Sequence, residues 1–209
     1  MNQKTAWDDF YKSNPRAWRG FSEIPRVPGE KVLELGCGNG KTVQSLLGMG
    51  YRVTGVDFSE TAINYCRDRF PEADFLVSDI TELPFPCGHF DYVTAVHVLE
   101  NLGEPEFEKT AGEISRVLSD GGYLFVRCFT PEDMRSGSSR NGFYYRYYTE
   151  AGLVALFPGY EVITSSTVSD KTRFGTVRSR AECLFKKLRI GTTDGAAVPL
   201  PGHLPEHGA

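Results

Sequence analysis

A short apolar run at residues 31–35 (KVLEL) breaks directly into Gly36-Cys37-Gly38-Asn39-Gly40, and an amphipathic stretch follows at 41–49. This order of residues demands a buried strand entering a glycine turn and then a helix. The pattern then recurs. A second apolar run at 51–56 stops at Asp57, where Ser59 is placed to cap a helix with Glu60 in its first turn and Ala62, Ile63, Cys66 and Phe70 at helical spacing. A third run at 75–77 ends at Ser78 and Asp79, a fourth spans 90–96, and a helix predicted over 105–118 places Phe107, Ala111, Ile114 and Leu118 on one face. Asp120, Gly121 and Gly122 turn the chain into a fifth strand at 123–129. Strand and helix alternating at this interval predict an α/β fold, with a parallel sheet covered by helices on both faces.

The final third changes character. Residues 131–148 are rich in Ser, Gly, Arg and Tyr without a period, so 130–148 reads as a lid or insert beyond the fifth strand. After a short helix at 150–157 come two strands, 160–168 and 176–186; in the second, Val177, Ala181, Cys183 and Phe185 alternate with Arg178, Arg180, Glu182 and Lys186. Period two means one wet face, which predicts an antiparallel edge hairpin completing a mostly parallel, Rossmann-like mixed sheet of seven strands. A length of 209 residues with 40% hydrophobic content suits one core, so 1–189 reads as a single domain with 1–29 as a cap segment and 190–209 as a flexible tail.

Composition excludes several function classes. The five cysteines, Cys37, Cys66, Cys87, Cys128 and Cys183, include no C-x-x-C pair and form neither a disulfide framework nor a zinc pattern. His203 and His207 stand four apart, but the Gly and Pro around them forbid the helix that would align them, and no metal is expected. No apolar run approaches the roughly 20 residues of a membrane span, and the first 20 residues lack the apolar centre of a secretion signal. The expectation is a cytoplasmic protein without a membrane partner. A net charge of -4 gives no global positive field of the kind non-specific nucleic-acid binding uses. Residues 127–189 nevertheless hold 11 Lys and Arg against 6 Asp and Glu, and they either face an anionic partner or form solvated faces of strands and loops.

Ligands of open parallel sheets bind beyond the carboxyl ends of the strands, near the point where strand order reverses. The strand-ending residues are Glu34 to Gly40, Asp57, Asp79, His97 and Cys128. The glycines permit positive φ and let a ligand approach the backbone, and the amides entering the helix are donors for a carboxylate. Asp57 lies 17 residues beyond Gly40 and can accept both hydroxyls of a ribose. The dinucleotide fingerprint G-x-G-x-x-G needs a third glycine at 41, where this chain has Lys41, so the spacing argues against a nicotinamide dinucleotide.

Taken together, VLELGCGNG, VTGVDFS, SDITELPF, FDYVTAVHVLENL and EISRVLSDGGYLFV resemble the class I S-adenosylmethionine-dependent methyltransferases over roughly residues 30–130. The late hairpin is similar to that family's reversed seventh strand. The resemblance implies S-adenosylmethionine as cofactor and S-adenosylhomocysteine as product. It makes Asp57 the ribose acid, puts Asp79 and the backbone of Ile80 at the adenine, packs Phe58 on the adenine ring, and lays Gly36, Cys37 and Gly38 against the methionine portion. Ser59 and Val96 complete the cofactor set, and Glu34 either orients the loop or meets the ammonium through water. Trp18 and Arg19 close the site and meet the cofactor's carboxylate, or belong with Trp7, Phe10 and Tyr11 to a hydrophobic cap.

His97 falls near the transferable methyl group, where a neutral imidazole takes a proton from a hydroxyl, thiol or amine; the alternative is a histidine with structurally satisfied nitrogens. Phe143, Tyr144, Tyr145, Arg146, Tyr147 and Tyr148 with Arg135 and Arg140 form either an acceptor pocket for an anionic or aromatic substrate or packing for the next helix. The function implied is methyl transfer to a small-molecule acceptor. Methylation of a tRNA nucleoside and cofactor binding by a regulator without turnover are the alternatives.

Overall fold

A computed structural model describes residues 3–14, 17, 20–136, 143 and 145–189. The elements run α1 (Gln3–Ser13), β1 (Lys31–Leu35), α2 (Lys41–Gly48), β2 (Arg52–Asp57), α3 (Glu60–Arg69), β3 (Asp74–Val77), β4 (Phe90–Val96), a 3-10 turn (Leu99–Asn101), α4 (Glu104–Val117), β5 (Leu118–Phe129), α5 (Glu150–Ala155), β6 (Tyr160–Lys171) and β7 (Val177–Lys187). The strands form one seven-stranded sheet in the order β3-β2-β1-β4-β5-β7-β6. β1 pairs in parallel with β2 and β4, so strand order reverses between these neighbours and opens a crevice at their carboxyl ends. β7 joins β5 antiparallel and pairs with β6, as the period-two pattern requires.

Alternation along each strand divides the core in two. Leu33 and Leu35 of β1, with Leu124 and Val126 of β5, pack under Phe107, Ala111, Ile114 and Val117 of α4 and Leu153 of α5. Val32, Tyr92 and Phe125 face the other way, against Val43 and Leu46 of α2 and Ile63 and Cys66 of α3. Each fully buried Leu, Ile or Phe contributes about 1.5–3 kcal/mol relative to exposure. The helices that supply the apolar layers also place their amino ends beside the strand tips. Ser59 caps α3 by accepting the amide of Ala62, a contact of about 1 kcal/mol.

Three elements depart from the expectation. Residues 3–13, read only as cap material, form a helix, because Trp7, Phe10 and Tyr11 stand at i, i+3 and i+4. The fifth strand starts at Leu118 instead of 123: Leu118 pairs with Phe90, and the ladder resumes only at Tyr92 and Tyr123. The extra residues loop out around Gly121, whose φ is 78°. The hairpin is also longer than its apolar pattern, and β6 is largely exposed along its length.

Two glycines test this architecture in opposite directions. Gly112 lies exposed in α4 with nothing within 4 Å of an added Cβ, so Gly112→Ala is expected to raise unfolding free energy by about 0.5–1 kcal/mol. A Cβ at Gly122 would stand 2.8 Å from Leu118 Cδ1 and 2.9 Å from the carbonyl oxygens of Asp91 and Ser119. Gly122→Ala is expected to cost about 1–3 kcal/mol. Urea denaturation measures both, and equal midpoints would refute the β4–β5 packing described.

Candidate active site

The strand tips enclose a cavity of about 1190 Å3. Its floor is the glycine loop. Gly36 and Gly38 hold φ of 58° and 51°, values that favour glycine. Val98 fills the space a Cβ would take at Gly36, and the Tyr11 hydroxyl fills it at Gly38. Val98 and Tyr11 of this chain thus occupy the Cβ side of the two glycines, while Gly36 and Gly38 both line the cavity. The amide of Gly38 is also not free for a ligand, since it donates to Asp57 Oδ2 at 2.9 Å.

Asp57 is the junction of the floor. Its Oδ1 accepts the amide of Ser59 at 2.9 Å, so one carboxylate ties the β1 loop to the start of α3. Asp57 is 4% exposed yet lines the cavity. Burial pushes its carboxyl up to about 6, against the pull of the Ser59 and Gly38 amides. Ser59 continues outward, donating its hydroxyl to Asp8 Oδ1 of α1 at 2.6 Å. Lys4, also on α1, pairs with Asp79, whose other oxygen accepts the Thr81 amide at 3.0 Å and the Thr81 hydroxyl at 2.9 Å. Deeper in, Glu34 accepts the hydroxyl of Thr94 on the neighbouring strand β4.

The opposite wall is built around His97, the residue after β4. It has φ of 59°, the one positive value outside glycine among the described residues. Its Nδ1 lies 2.8 Å from Oε1 of Glu100, a fully buried carboxylate on the 3-10 turn. Its ring stacks on Phe129 with centroids 4.1 Å apart. The Arg135 guanidinium lies over the same Phe129 ring at 4.2 Å and pairs with Asp133 Oδ1 at 2.9 Å. Tyr145 meets Phe129 edge-on at 5.6 Å, and burial pushes its phenol up to about 12.

The structure brings Glu34, Gly36, Cys37, Gly38, Asp57, Phe58, Asp79, Ile80, Val96, His97, Arg135 and Tyr145 around this one cavity. Ser59 and Arg146 do not line it; Ser59 caps α3, and the Arg146 amide donates to the Glu100 carbonyl at 2.7 Å. Trp18, Arg19, Arg140, Tyr144 and the tail from Ile190 lie outside the described residues. Sequence reading missed Lys4 and Asp8, which the helical spacing of Trp7, Phe10 and Tyr11 points to, and Glu100, which the i,i+3 spacing from His97 points to. Among the described residues, no group of three His, Cys, Asp or Glu side chains is placed to hold a metal ion, and no helix is long and apolar enough to cross a membrane.

Comparison with known proteins agrees with this geometry. Residues 33–126 match the family described as methyltransferase domain. A demethylmenaquinone methyltransferase of Renibacterium salmoninarum is 35% identical over 117 residues, 55% of this chain and 48% of that protein. A probable S-adenosylmethionine-dependent methyltransferase of Mycolicibacterium smegmatis is 32% identical over 143 residues, 66% of this chain and 54% of that one. Residues 33–126 are thus similar to a methyltransferase domain, in line with the resemblance to the S-adenosylmethionine-dependent methyltransferases. This chain spans about half the length of the relatives it matches. In fold it is similar to a SAM-dependent methyltransferase of Methanosarcina mazei, with TM-score 0.67, 23% identity and coverage of 77% of this chain and 93% of that one. The span matched to the methyltransferase family runs from β1 into β5 and contains every strand tip of the cavity up to His97; Phe129, Arg135 and Tyr145 lie beyond it.

The buried pair Glu34–Thr94 gives a pH signature. Burial pushes the Glu34 carboxyl up to about 8, against the opposing hydrogen bonds of Thr94 and Thr42. A folded-state carboxyl raised above its ordinary value binds its proton more tightly than in the unfolded chain, so the stability it lends is complete at low pH and lost as pH rises through about 8. Asp57 contributes the same sign, but only up to about 6. Scanning calorimetry should show the melting temperature falling as pH rises from about 4.5 to about 8 and levelling off above that, with a flatter profile for Glu34→Gln. Identical slopes in the two proteins would place the titration elsewhere.

Proposed function

We propose that this chain binds S-adenosylmethionine across the tips of β1, β2 and β3 and transfers its methyl group to a small-molecule acceptor beside His97. Asp57 carries the reading. Its Oδ2 accepts the Gly38 amide and its Oδ1 the Ser59 amide, with the Phe58 amide also turned to the carboxylate, so the side chain is fixed in place at the cavity wall with acceptor capacity left for the hydroxyls of a ribose. Gly36, Cys37 and Gly38 line the methionine side, and Phe58 and Ile80 the adenine side. The carboxylate of Asp79 is already shared between Lys4 and Thr81, which favours the Ile80 backbone as the adenine partner.

When bound, the sulfonium supplies a methyl group that is already activated. The chain's own residues are left to align the acceptor, exclude water and take a proton, which accounts for a site without a nucleophile triad. His97 is the proposed base, with Phe129, Arg135 and Tyr145 as the acceptor wall. A small acceptor is favoured over tRNA because four cations of the basic late segment, Arg127, Arg135, Arg180 and Lys187, are engaged in ion pairs with Glu182, Asp133, Asp170 and Asp120.

Titration calorimetry with S-adenosylmethionine tests the cofactor site. Asp57→Ala is expected to weaken binding by about tenfold or more with the fold intact by circular dichroism. Affinity of the wild-type chain is expected to fall as pH drops below about 6, where Asp57 takes up its proton. Unchanged affinity in the variant would remove the ribose assignment. His97→Ala is expected to slow labelled-methyl transfer to metabolite extracts by about 100-fold, with cofactor affinity within about twofold of wild type; equal turnover would return His97 to a structural role.

A further inference from the structure

Glu100 has no role in cofactor binding, and its carboxylate is wholly buried one helical step from His97. Three independent observations set the pair apart. First, His97 holds φ of 59°, a conformation that costs a branched-free L residue about 1 kcal/mol and that persists only where its surroundings demand it. The demand is visible: the His97 amide donates to the Arg127 carbonyl at 2.9 Å, and the Asn101 side chain donates to the His97 carbonyl at 3.1 Å. Second, the turn that this conformation starts returns Glu100 to within 2.8 Å of Nδ1. Third, Glu100 Oε2 is buried, with the Cys128 thiol of β5 the group turned toward this carboxylate. A buried carboxylate held by so weak a donor is costly to keep for packing alone. Next to an imidazole it has a use.

Building on the methyl-transfer reading above, we infer that Glu100 is a positioning residue which holds His97 as a general base, and that the acceptor presents an aromatic hydroxyl. A carboxylate accepting Nδ1–H fixes the tautomer whose Nε2 carries the lone pair, and it stabilises the imidazolium that forms when Nε2 takes a proton. Nε2 has no partner among the described residues, and His97 lines the cavity with its side chain 32% exposed. The other charged or titratable side chains lining the cavity near His97 are the Arg135–Asp133 pair, Tyr145 and Glu106 of α4.

A base in this position selects among acceptors. A carboxylate is already ionised at neutral pH, and a neutral amine attacks through its lone pair and releases its proton afterwards; neither needs proton removal in the transition state. A phenol, with an ordinary value of about 10, gains from it. Phe129, whose faces are covered by His97 and Arg135, and Tyr145, edge-on to Phe129, line the cavity beside His97 and give an aromatic acceptor apolar ring edges to meet. In the step so assigned, the acceptor oxygen bonds to the methyl carbon while the carbon–sulfur bond breaks and leaves its electron pair on sulfur. The hydroxyl proton passes to His97 Nε2 and from there to water.

Transfer of labelled methyl from S-adenosylmethionine to catechol, caffeate, benzylamine and benzoate tests both halves on the full chain. Label is expected in the phenolic methyl ethers. Glu100→Gln is expected to lower kcat by about tenfold or more and to alter the pH–rate profile, while KM for the phenol and the affinity for S-adenosylmethionine stay within about twofold. Label confined to benzylamine or benzoate, or no label in a phenol although calorimetry shows S-adenosylmethionine bound, overturns the hydroxyl assignment. Failure to bind S-adenosylmethionine at all overturns the reading beneath it. If Glu100→Gln does not fold, nitrogen-15 spectra of the wild-type imidazole decide the positioning role: a His97 proton on Nδ1 supports it, and a proton on Nε2 overturns it.

Discussion

One carboxylate holds the site together. Asp57 accepts an amide from the loop after β1, 19 residues earlier, and another from the start of α3, so the glycine loop and the α3 start are tied to one side chain. Its burial strengthens both hydrogen bonds and raises the cost of leaving either unmade. The same burial pushes the Asp57 carboxyl up to about 6, leaving it ionised at neutral pH with little margin. A loop of glycines has no side chains with which to fix itself. Asp57 fixes it from the neighbouring strand, and Val98 and Tyr11 wedge it from outside.

The tie extends from the floor to the walls. Ser59, bound through its amide to Asp57, passes a hydrogen bond to Asp8, and Lys4 one turn earlier on α1 reaches Asp79 at the tip of β3. α1 is thus carried by the residues it covers. On the far side, Val98 spans from the glycine loop to the turn holding Glu100, so the segment that seats Gly36 also sets the approach of His97. The glycine loop and the His97 wall meet at Val98, and a shift in one displaces the other because tightly packed contacts transmit strain.

Legibility in the sequence followed the range of the interaction. β1, β4 and the cap at Ser59 were readable because apolar runs and capping chemistry act over a few neighbouring residues. Asp57 was readable because the end of a strand is a fixed place in this kind of sheet. The start of β5 was hidden: pairing of Leu118 with Phe90 is a tertiary fact, and Gly121-Gly122 reads as a turn whether it ends a loop or bulges a strand. Val98 and Tyr11 were hidden for the same reason, since no local pattern tells what will fill the space beside a glycine. Glu100 carries no local signal beyond its i,i+3 spacing from His97, and its complete burial against Nδ1 of His97 is what marks it.

The basic character of the late segment shows how a count of charges differs from a field. Glu182 Oε1 accepts from Nε of both Arg127 and Arg180, and Arg180 reaches on to Asp170, so the excess is drawn into a cross-strand network over β5, β7 and β6. Lys41 and Arg178 also line the cavity and pair with no carboxylate among the described residues. Lys41 feels the rest: burial, then Arg127, Arg178 and Arg180, draws its ammonium below the ordinary value. The cations of the late segment that line the cavity stand among its carboxylates, Asp57, Asp79, Glu106, Asp133 and Asp170 included, so the local excess of basic residues does not become a positive field there.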